Sequence, residues 1–214
     1  MATRDAEATR ARIFEAATEE FAAHGIAGAR VDRIAQNAQA NKQLIYAYFG
    51  DKQKLFYKVL DKTLVDVAEM VSTDIADLDR WVDEHIDYHD KHPELLRLLM
   101  WEALEVAEEN TCRSDARAER YGVKKQKIAA AQDRGLVRKD MPPAYLLMLL
   151  MGMINYAAAL PQVRGLIFGP EFDAEALRAW TKDAVKRVAE RAADGEPGSD
   201  GEPGPGEAER AERG

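Results

Sequence analysis

Apolar residues recur along the chain at intervals of three and four, the spacing that places them on one face of an α-helix. Residues 31–54 contain two short segments of this kind, separated by Gln39, Ala40 and Asn41. Asn41 is a favourable N-cap, because its side chain can accept a hydrogen bond from a free amide of the next turn. The pattern therefore predicts a helix, a tight turn and a second helix, a unit that can present its second helix to a DNA groove.

The same spacing predicts helices on both sides of this unit. A first helix begins at Thr9 and stops at His24 and Gly25, after a polar start over residues 1–8 that we expect to fray. It packs on the two short segments around a core of Ile13, Phe21, Ile34, Ile45 and Phe49. After Asp51, which can cap a new helix, a long stripe predicts a helix over residues 52–71, and further helices follow at 78–90, 93–106, 114–134, 142–160 and 172–193. A loop is predicted around Gly165 and Gly169.

These elements predict an all-α fold with three parts. An N-terminal three-helix head with a helix–turn–helix occupies residues 1–51, and a helical body occupies residues 52–193. The acidic tail, residues 194–214, is rich in Gly and Pro, lacks large apolar residues and is predicted to be disordered. A partner-binding motif in the tail is the alternative to plain disorder.

Composition and charge narrow the class of protein. Cys112 is the single cysteine of 214 residues, which excludes an internal disulfide framework and fits a reducing cytoplasm. No signal peptide is visible, and the longest apolar run is short and interrupted by Gly152 and Asn155, so we expect a cytoplasmic protein. The net charge is −8, but residues 1–58 hold nine basic and seven acidic side chains, a net of +2 that leaves −10 for the remainder. A mildly cationic head on an anionic body suits contact with a polyanion at one end only.

The head resembles the DNA-binding domain of the tetracycline-repressor (TetR) family. The resemblance covers about residues 9–58 and rests on the pairs Ile34-Ala35, Asn41-Lys42, Ile45-Tyr46 and Tyr48-Phe49, with Lys52 followed by Leu55. It implies a homodimeric transcriptional regulator, usually a repressor that a small ligand releases from a near-palindromic operator. Two departures from the family pattern are Gln39, where Gly is common in the turn, and Ala47, where a larger polar residue is common. Gln39 is either mildly strained at positive φ or lies in a turn that is not left-handed.

The chemistry of the head predicts which side chains meet DNA. Gln43 suits adenine, because its amide both donates and accepts, and Lys42 can reach guanine or a phosphate. Tyr46 can bind a phosphate or a thymine methyl group, and the resemblance implies backbone contacts for Tyr46, Tyr48 and Lys52. For Lys42 and Gln43 the alternative is a solvated face, and for Tyr48 it is the core of the head. The predicted DNA-binding residues are Arg30, Asn41, Lys42, Gln43, Tyr46, Tyr48 and Lys52.

The body is predicted to hold a ligand pocket and a dimer interface. The proposed pocket is mostly apolar with a few polar groups, and its candidate residues are Met100, Trp101, Tyr121, Met148, Met151, Asn155 and Tyr156. The candidate interface comes from the last two helices, with Leu147, Leu150, Ile154, Trp180, Ala184 and Val188. For each of these residues the alternative is ordinary core packing.

Other classes of site have weaker support. His85 and His89 are one helical turn apart and His92 follows, but no further ligand is tied to them by sequence, so we predict no metal site and no cofactor. Cys112 has no resolving partner for a redox role. No phosphate loop, nucleophile elbow or HExxH pair is present, so an enzyme is not expected. The competing hypothesis is a helical ligand-binding or scaffold protein with little specific DNA binding.

Overall fold

The computed structural model describes residues 2–106 and 115–190 of the chain, and Cys112 and the predicted tail lie outside these ranges. Within them the chain forms ten α-helices and no β-strand. These helices are α1 (Ala2–Gly28), α2 (Val31–Asn37), α3 (Lys42–Phe49), α4 (Lys52–Met70), α5 (Leu78–Lys91), α6 (Glu94–Glu105), α7 (Asp115–Asp133), α8 (Pro143–Ala159), α9 (Pro161–Phe168) and α10 (Ala174–Ala189). The all-α prediction is confirmed.

Helix α1 differs from its prediction at both ends. It begins at Ala2 rather than Thr9, because the polar segment before Thr9 consists of good helix formers such as Ala, Arg and Glu. Gly25 does break the helix, with φ 68° and ψ −173°, but one more helical turn follows it to Gly28. The end of α1 is therefore a kinked segment that faces α6.

A first hydrophobic core joins the head to the body. The five residues predicted for the core of the head are all buried within it. Residues of α4 continue the same cluster, among them Leu55, Phe56 and Leu60, and so do Leu95 and Leu98 from α6. The helix–turn–helix is therefore fixed on α1, α4 and α6 by shared apolar packing.

A second core lies among α5, α7, α8 and α10. Leu150 and Ile154 of α8 are buried inside it, at 0% and 4% exposure. Their prediction as interface residues is wrong, because their side chains pack in the core of a single chain. Leu147 and Val188 pack against the same core and are partly buried.

The segment after α8 is helical rather than a loop. Pro161 occupies the first turn of α9, where its missing amide costs nothing, and Gly165 is accommodated inside the helix. Three apolar side chains of α9 remain exposed, namely Leu166, Ile167 and Phe168. Within the described ranges no single helix is long and apolar enough to cross a bilayer, although α8 and the following segment to Glu171 reach that length together, with an 80° bend between them.

Candidate nucleic-acid interface

The turn between α2 and α3 has the hydrogen bonds of a Schellman motif. The Ala40 amide donates to the Ala35 carbonyl at 2.9 Å, and the Gln39 amide donates to the Gln36 carbonyl at 3.1 Å. Gln39 has φ 50°, so the left-handed alternative is the correct one. A non-Gly residue in this conformation costs about 1 kcal/mol. The turn therefore keeps its geometry despite the residue that the family pattern disfavours.

Asn41 caps α3 as predicted, since its side chain accepts from the Gln43 amide at 2.8 Å. The side chains of Lys42 and Gln43 are exposed at the start of α3. Lys42 is not a free cation, because its ammonium lies 2.8 Å from the carboxylate of Asp32 on α2. The hydrogen bond and charge of Lys42 lower the pKa of Asp32. An approaching phosphate or base edge would therefore compete with Asp32 for Lys42.

The two tyrosines of α3 have different surroundings. Tyr46 is exposed on the same helix as Gln43. Tyr48 is partly buried against the first core, with its ring in a T-shaped contact with Phe49 and the Arg10 guanidinium 5.1 Å from its centroid. Tyr48 is therefore partly a core residue of the head, and its ring also lies beside the cation of Arg10. Its DNA contact stays a prediction.

A buried carboxylate holds the start of α2. Glu20 of α1 is 5% exposed and accepts from the Arg30 amide at 2.7 Å and from the Arg33 guanidinium at 2.6 Å. Burial alone would raise the pKa of Glu20, but the bonds from Arg33 and Arg30 outweigh this effect and lower it. A carboxylate at a helix N-terminus also meets the positive end of the helix dipole. Glu20 therefore orients α2, while the Arg30 side chain remains exposed.

Lys52 has a structural contact that the sequence did not reveal. Its ammonium donates to the carbonyl oxygens of Ala27 and Ala29, each at 3.1 Å. This ties the start of α4 to the segment between α1 and α2. Two of the three N–H donors of Lys52 are used in this way, which leaves one for a phosphate.

Neither Glu20 nor the Lys52 contact could be found from helical spacing. Glu20 lies outside the apolar stripe of α1, and its partners, Arg30 and Arg33, belong to the start of the next helix. The signal that could have found it is an acidic residue on the inner side of α1 opposite a basic residue in α2. Such pairing depends on how α1 crosses α2, which the spacing alone does not give.

The residues predicted for the ligand pocket do not share one enclosed site. Met148, Tyr156 and Tyr121 are exposed in the single chain, which contradicts their placement in an enclosed pocket. Trp101 packs against the end of α1, where its indole N–H donates to the Ala22 carbonyl at 3.2 Å. Met100 and Met151 are partly buried. Asn155 points toward α5, with its Oδ1 2.9 Å from Nε2 of His89.

A separate cavity of about 540 Å³ lies between the head and the body. Phe14 of α1, Val59 of α4 and Tyr88 of α5 contribute apolar surface to it. Its rim is acidic, with Glu15, Glu19, Asp66, Glu69 and Glu94. The single lysine among its lining residues, Lys62, is already paired with Asp66 at 2.8 Å.

The remaining interface candidates lie on the outer side of the body. Trp180 is 67% exposed, and Ala184 is partly exposed on the same helix. On α8 an exposed stripe recurs at helical spacing, although two of its members were predicted for the pocket. The exposed residues of this stripe are Tyr145, Met148, Leu149, Gly152 and Tyr156.

Together the fold and the exposed face of α3 define a helix–turn–helix DNA-binding protein with an all-helical body. Sequence comparisons agree with this class. The model of the bacterial regulatory proteins of the tetR family matches residues 13–59, and that of the tetracyclin repressor-like C-terminal domain matches residues 77–187. The chain belongs to the TetR family of transcriptional regulators.

Individual relatives support the same assignment. The chain is 48% identical to the HTH-type transcriptional repressor SCO4008 of Streptomyces coelicolor, over 89% of this chain and 100% of that protein. It is 33% identical to the HTH-type transcriptional repressor NicS of Pseudomonas putida, over 64% of this chain and 69% of that protein. A crystal structure of the putative transcriptional regulator SCO4942 from Streptomyces coelicolor matches with a TM-score of 0.75 and 34% identity, covering 86% of this chain and 99% of that one.

Proposed function

We propose that the protein is a homodimeric repressor that binds a near-palindromic DNA operator through paired α3 helices and is released by a small effector bound in its body. The single observation that carries this proposal is the geometry of the start of α3. Gln43 and Tyr46 are exposed there beside the cations of Lys42 and Arg30, on a helix whose position is fixed from behind by buried Ile45 and Phe49. The two relatives described as repressors support the direction of regulation.

The roles of the individual side chains follow from their contacts. Gln43 has an unobstructed amide for a base edge, whereas Lys42 must exchange its ion pair with Asp32 for a phosphate or guanine. Arg30 and the third N–H of Lys52 lie at the start of α2 and α4, where helix N-termini favour phosphate groups. Asn41 acts through its cap, which sets the direction in which α3 begins. Tyr46 and Tyr48 contribute hydroxyl groups toward the DNA backbone.

The test is a gel-shift titration of the full chain with the DNA upstream of its own gene, at several salt concentrations. We expect saturable binding that weakens steeply with salt and exceeds binding to random DNA. Gln43→Ala should lose about 1–3 kcal/mol on the operator and little on random DNA, because only a base contact is removed. The control is Gln53→Ala on α4, whose amide already donates to the hydroxyl of Tyr57.

Two results would contradict the proposal. If the chain bound its upstream DNA no better than random DNA, the helical scaffold or ligand-binding protein would be the better assignment. If Gln43→Ala weakened both kinds of DNA equally, base reading by Gln43 would be wrong even though groove binding could stand.

A further inference from the structure

The cavity between the head and the body has a floor of apolar and aromatic side chains. Phe14 of α1 and Val59 of α4 contribute to this floor, and so does Tyr88 of α5, which is 4% exposed. The ring of His92, another lining residue, lies beside that of Tyr88, with 4.6 Å between centroids and an interplanar angle of 34°. At about 540 Å³ the cavity has the size of a site for a drug-sized molecule, and its floor favours an occupant with an apolar body.

The rim of this cavity has an excess of negative charge, with five carboxylates and one ammonium. The carboxylate of Asp66 pairs with Lys62 at 2.8 Å, which uses the only lysine that lines the cavity. The carboxylate of Glu94 lies 3.2 Å from Nδ1 of His92. The other three carboxylates have no ion-pair partner among the described residues, and they belong to Glu15, Glu19 and Glu69.

The negative charge of the rim reaches the aromatic floor. Burial, and to a smaller extent the charges of Asp66 and Glu94, raise the pKa of Tyr88 to about 12. The unpaired carboxylates belong to two helices, because Glu15 lies on α1 and Glu69 on α4. Ring faces and carboxylates both attract a positive charge, so the floor and the rim favour the same kind of occupant.

The arrangement suits an organic cation better than a metal ion or a polyamine. In the described part of the chain no three His, Cys, Asp or Glu side chains come together to hold a metal ion. An organic cation needs no such set of ligands, because ring faces and more distant carboxylates bind it. A linear polyamine would match the charge of the rim but would leave the apolar floor uncovered.

We propose that this cavity binds an organic cation with an apolar body, of the class of aromatic quaternary ammonium and phosphonium ions, and that this cation is the effector. Its apolar body covers the floor, and its charge lies toward the carboxylates of the rim. Because α1 belongs to the head and α4 and α5 to the body, the occupant contacts both parts of the chain. A ligand that binds one arrangement of these parts more tightly shifts the chain toward it. The role of the occupant as effector rests on the proposed function.

The experiment is isothermal titration calorimetry of the full chain with tetraphenylphosphonium. Tetraphenylborate is the matched probe, because it has nearly the same size and shape and the opposite charge, and spermidine supplies charge without an apolar body. We expect tetraphenylphosphonium to bind at least about tenfold more tightly than either probe, with an affinity that falls as NaCl screens the rim. Absence of tetraphenylphosphonium binding would overturn the proposal, and so would equal or tighter binding of tetraphenylborate or spermidine.

Variants of the unpaired carboxylates test the rim without breaking an ion pair. Glu15→Gln should weaken tetraphenylphosphonium binding about threefold, and Glu15→Gln combined with Glu69→Gln about fivefold or more, with little change in Tm. The matched control is Glu7→Gln, because Glu7 is exposed on the same helix α1 but does not line the cavity. Unchanged binding in the double variant would contradict the proposal, and so would an equal loss in Glu7→Gln.

The operator gel shift relates the cavity to the proposed function. Saturating tetraphenylphosphonium should weaken operator binding about tenfold, and unchanged operator affinity with the cavity filled would overturn the effector role. Specific operator binding without tetraphenylphosphonium binding would leave the repressor standing and remove this inference. Tetraphenylphosphonium binding without specific operator binding would leave the cation site and remove the repressor.

Discussion

Gln39 holds a backbone conformation that is better suited to glycine. With φ 50° its Cβ crowds the backbone, yet both bonds of the Schellman turn are formed. Gln39→Gly should raise the free energy of unfolding by about 0.5–1 kcal/mol, because relief of strain exceeds the added chain entropy of Gly. Urea denaturation measures this, and Gln39→Ala is the control, since Ala keeps the crowded Cβ. Equal effects of Gly and Ala would show that the φ angle is not the source of strain.

His85 gives the stability of the protein a pH dependence of known sign. Burial lowers its pKa from 6.5 to about 4; the charges of Lys124 and His89 add to this effect, while the bond to Trp81 and the charge of Glu84 oppose it. Between about pH 4 and pH 6.5 the unfolded chain binds a proton at His85 that the folded chain does not. The free energy of unfolding therefore falls as the pH decreases from 6.5 to 4. The full loss amounts to about 3 kcal/mol from this group. Denaturant unfolding across this range should therefore show a shallower pH slope in His85→Phe, and an unchanged slope would contradict the assignment.

The kinked end of α1 is the element through which α6 contacts the head. Arg97 and Trp101 both donate to the Ala22 carbonyl, and Glu105 accepts from the Ala27 amide at 2.8 Å. These bonds exist because Gly25 turns the helix and leaves its terminal polar groups in need of partners from outside the helix. A displacement of α6 would therefore move the end of α1 directly through these bonds. The long α4 is a second connection between the body and the head.

Gly25→Ala tests whether this junction requires glycine. An added Cβ would lie 2.3 Å from Oε1 of Glu105 and 2.7 Å from the ring of Trp101, at a φ of 68°. We expect the free energy of unfolding to fall by about 1–3 kcal/mol, from strain and from displacement of these side chains. The control is Gly28→Ala, whose Cβ meets nothing closer than 3.4 Å. Similar results for the two variants would mean that the contact with α6 contributes little.

At the scale of single elements, the sequence predicts where the helices lie better than it predicts what each helix packs against. Helical spacing located α2 to α8 and the core of the head, because each buried stripe is a local property of one segment. It fails for α9, where Gly165 indicates a loop but the chain is helical, and for Glu20, whose partners are set by the crossing of α1 and α2. Leu150 is a similar case, since an apolar stripe does not reveal whether it faces the same chain or a second copy.

At the scale of the whole molecule, two opposite faces of α5 make different contacts. One face carries His85 and His89, whereas the other is acidic and meets basic residues of α10. Arg178 pairs with Asp87 at 2.6 Å and with Asp83 at 3.2 Å. Two further ion pairs extend this row. The Lys182 ammonium lies 2.5 Å from the Asp83 carboxylate, and the Lys186 ammonium lies 2.5 Å from that of Asp79. Each pair is worth little alone, but the row fixes α10 on the helix that carries the two histidines.

The outer stripe of α8 and the exposed Trp180 of α10 are the surface that we expect to form the dimer. Met148 is 73% exposed at the middle of this stripe, and Leu150 and Ile154 support it from the core. In a two-fold interface Met148→Glu would place like charges near each other in a desolvated patch, which costs several kcal/mol. We therefore expect sedimentation equilibrium to show monomers at concentrations where the unmodified chain is dimeric.

The same variant links assembly to DNA recognition. Each head alone contacts one half-site, so Met148→Glu should lose most of its operator affinity while its weak binding to random DNA changes little. Leu104→Glu on α6 is the matched control, because Leu104 is similarly exposed, at 77%, but lies on a helix outside the α8–α10 surface. A Met148→Glu protein that stayed dimeric and bound the operator normally would exclude this surface as the interface and place the second head elsewhere.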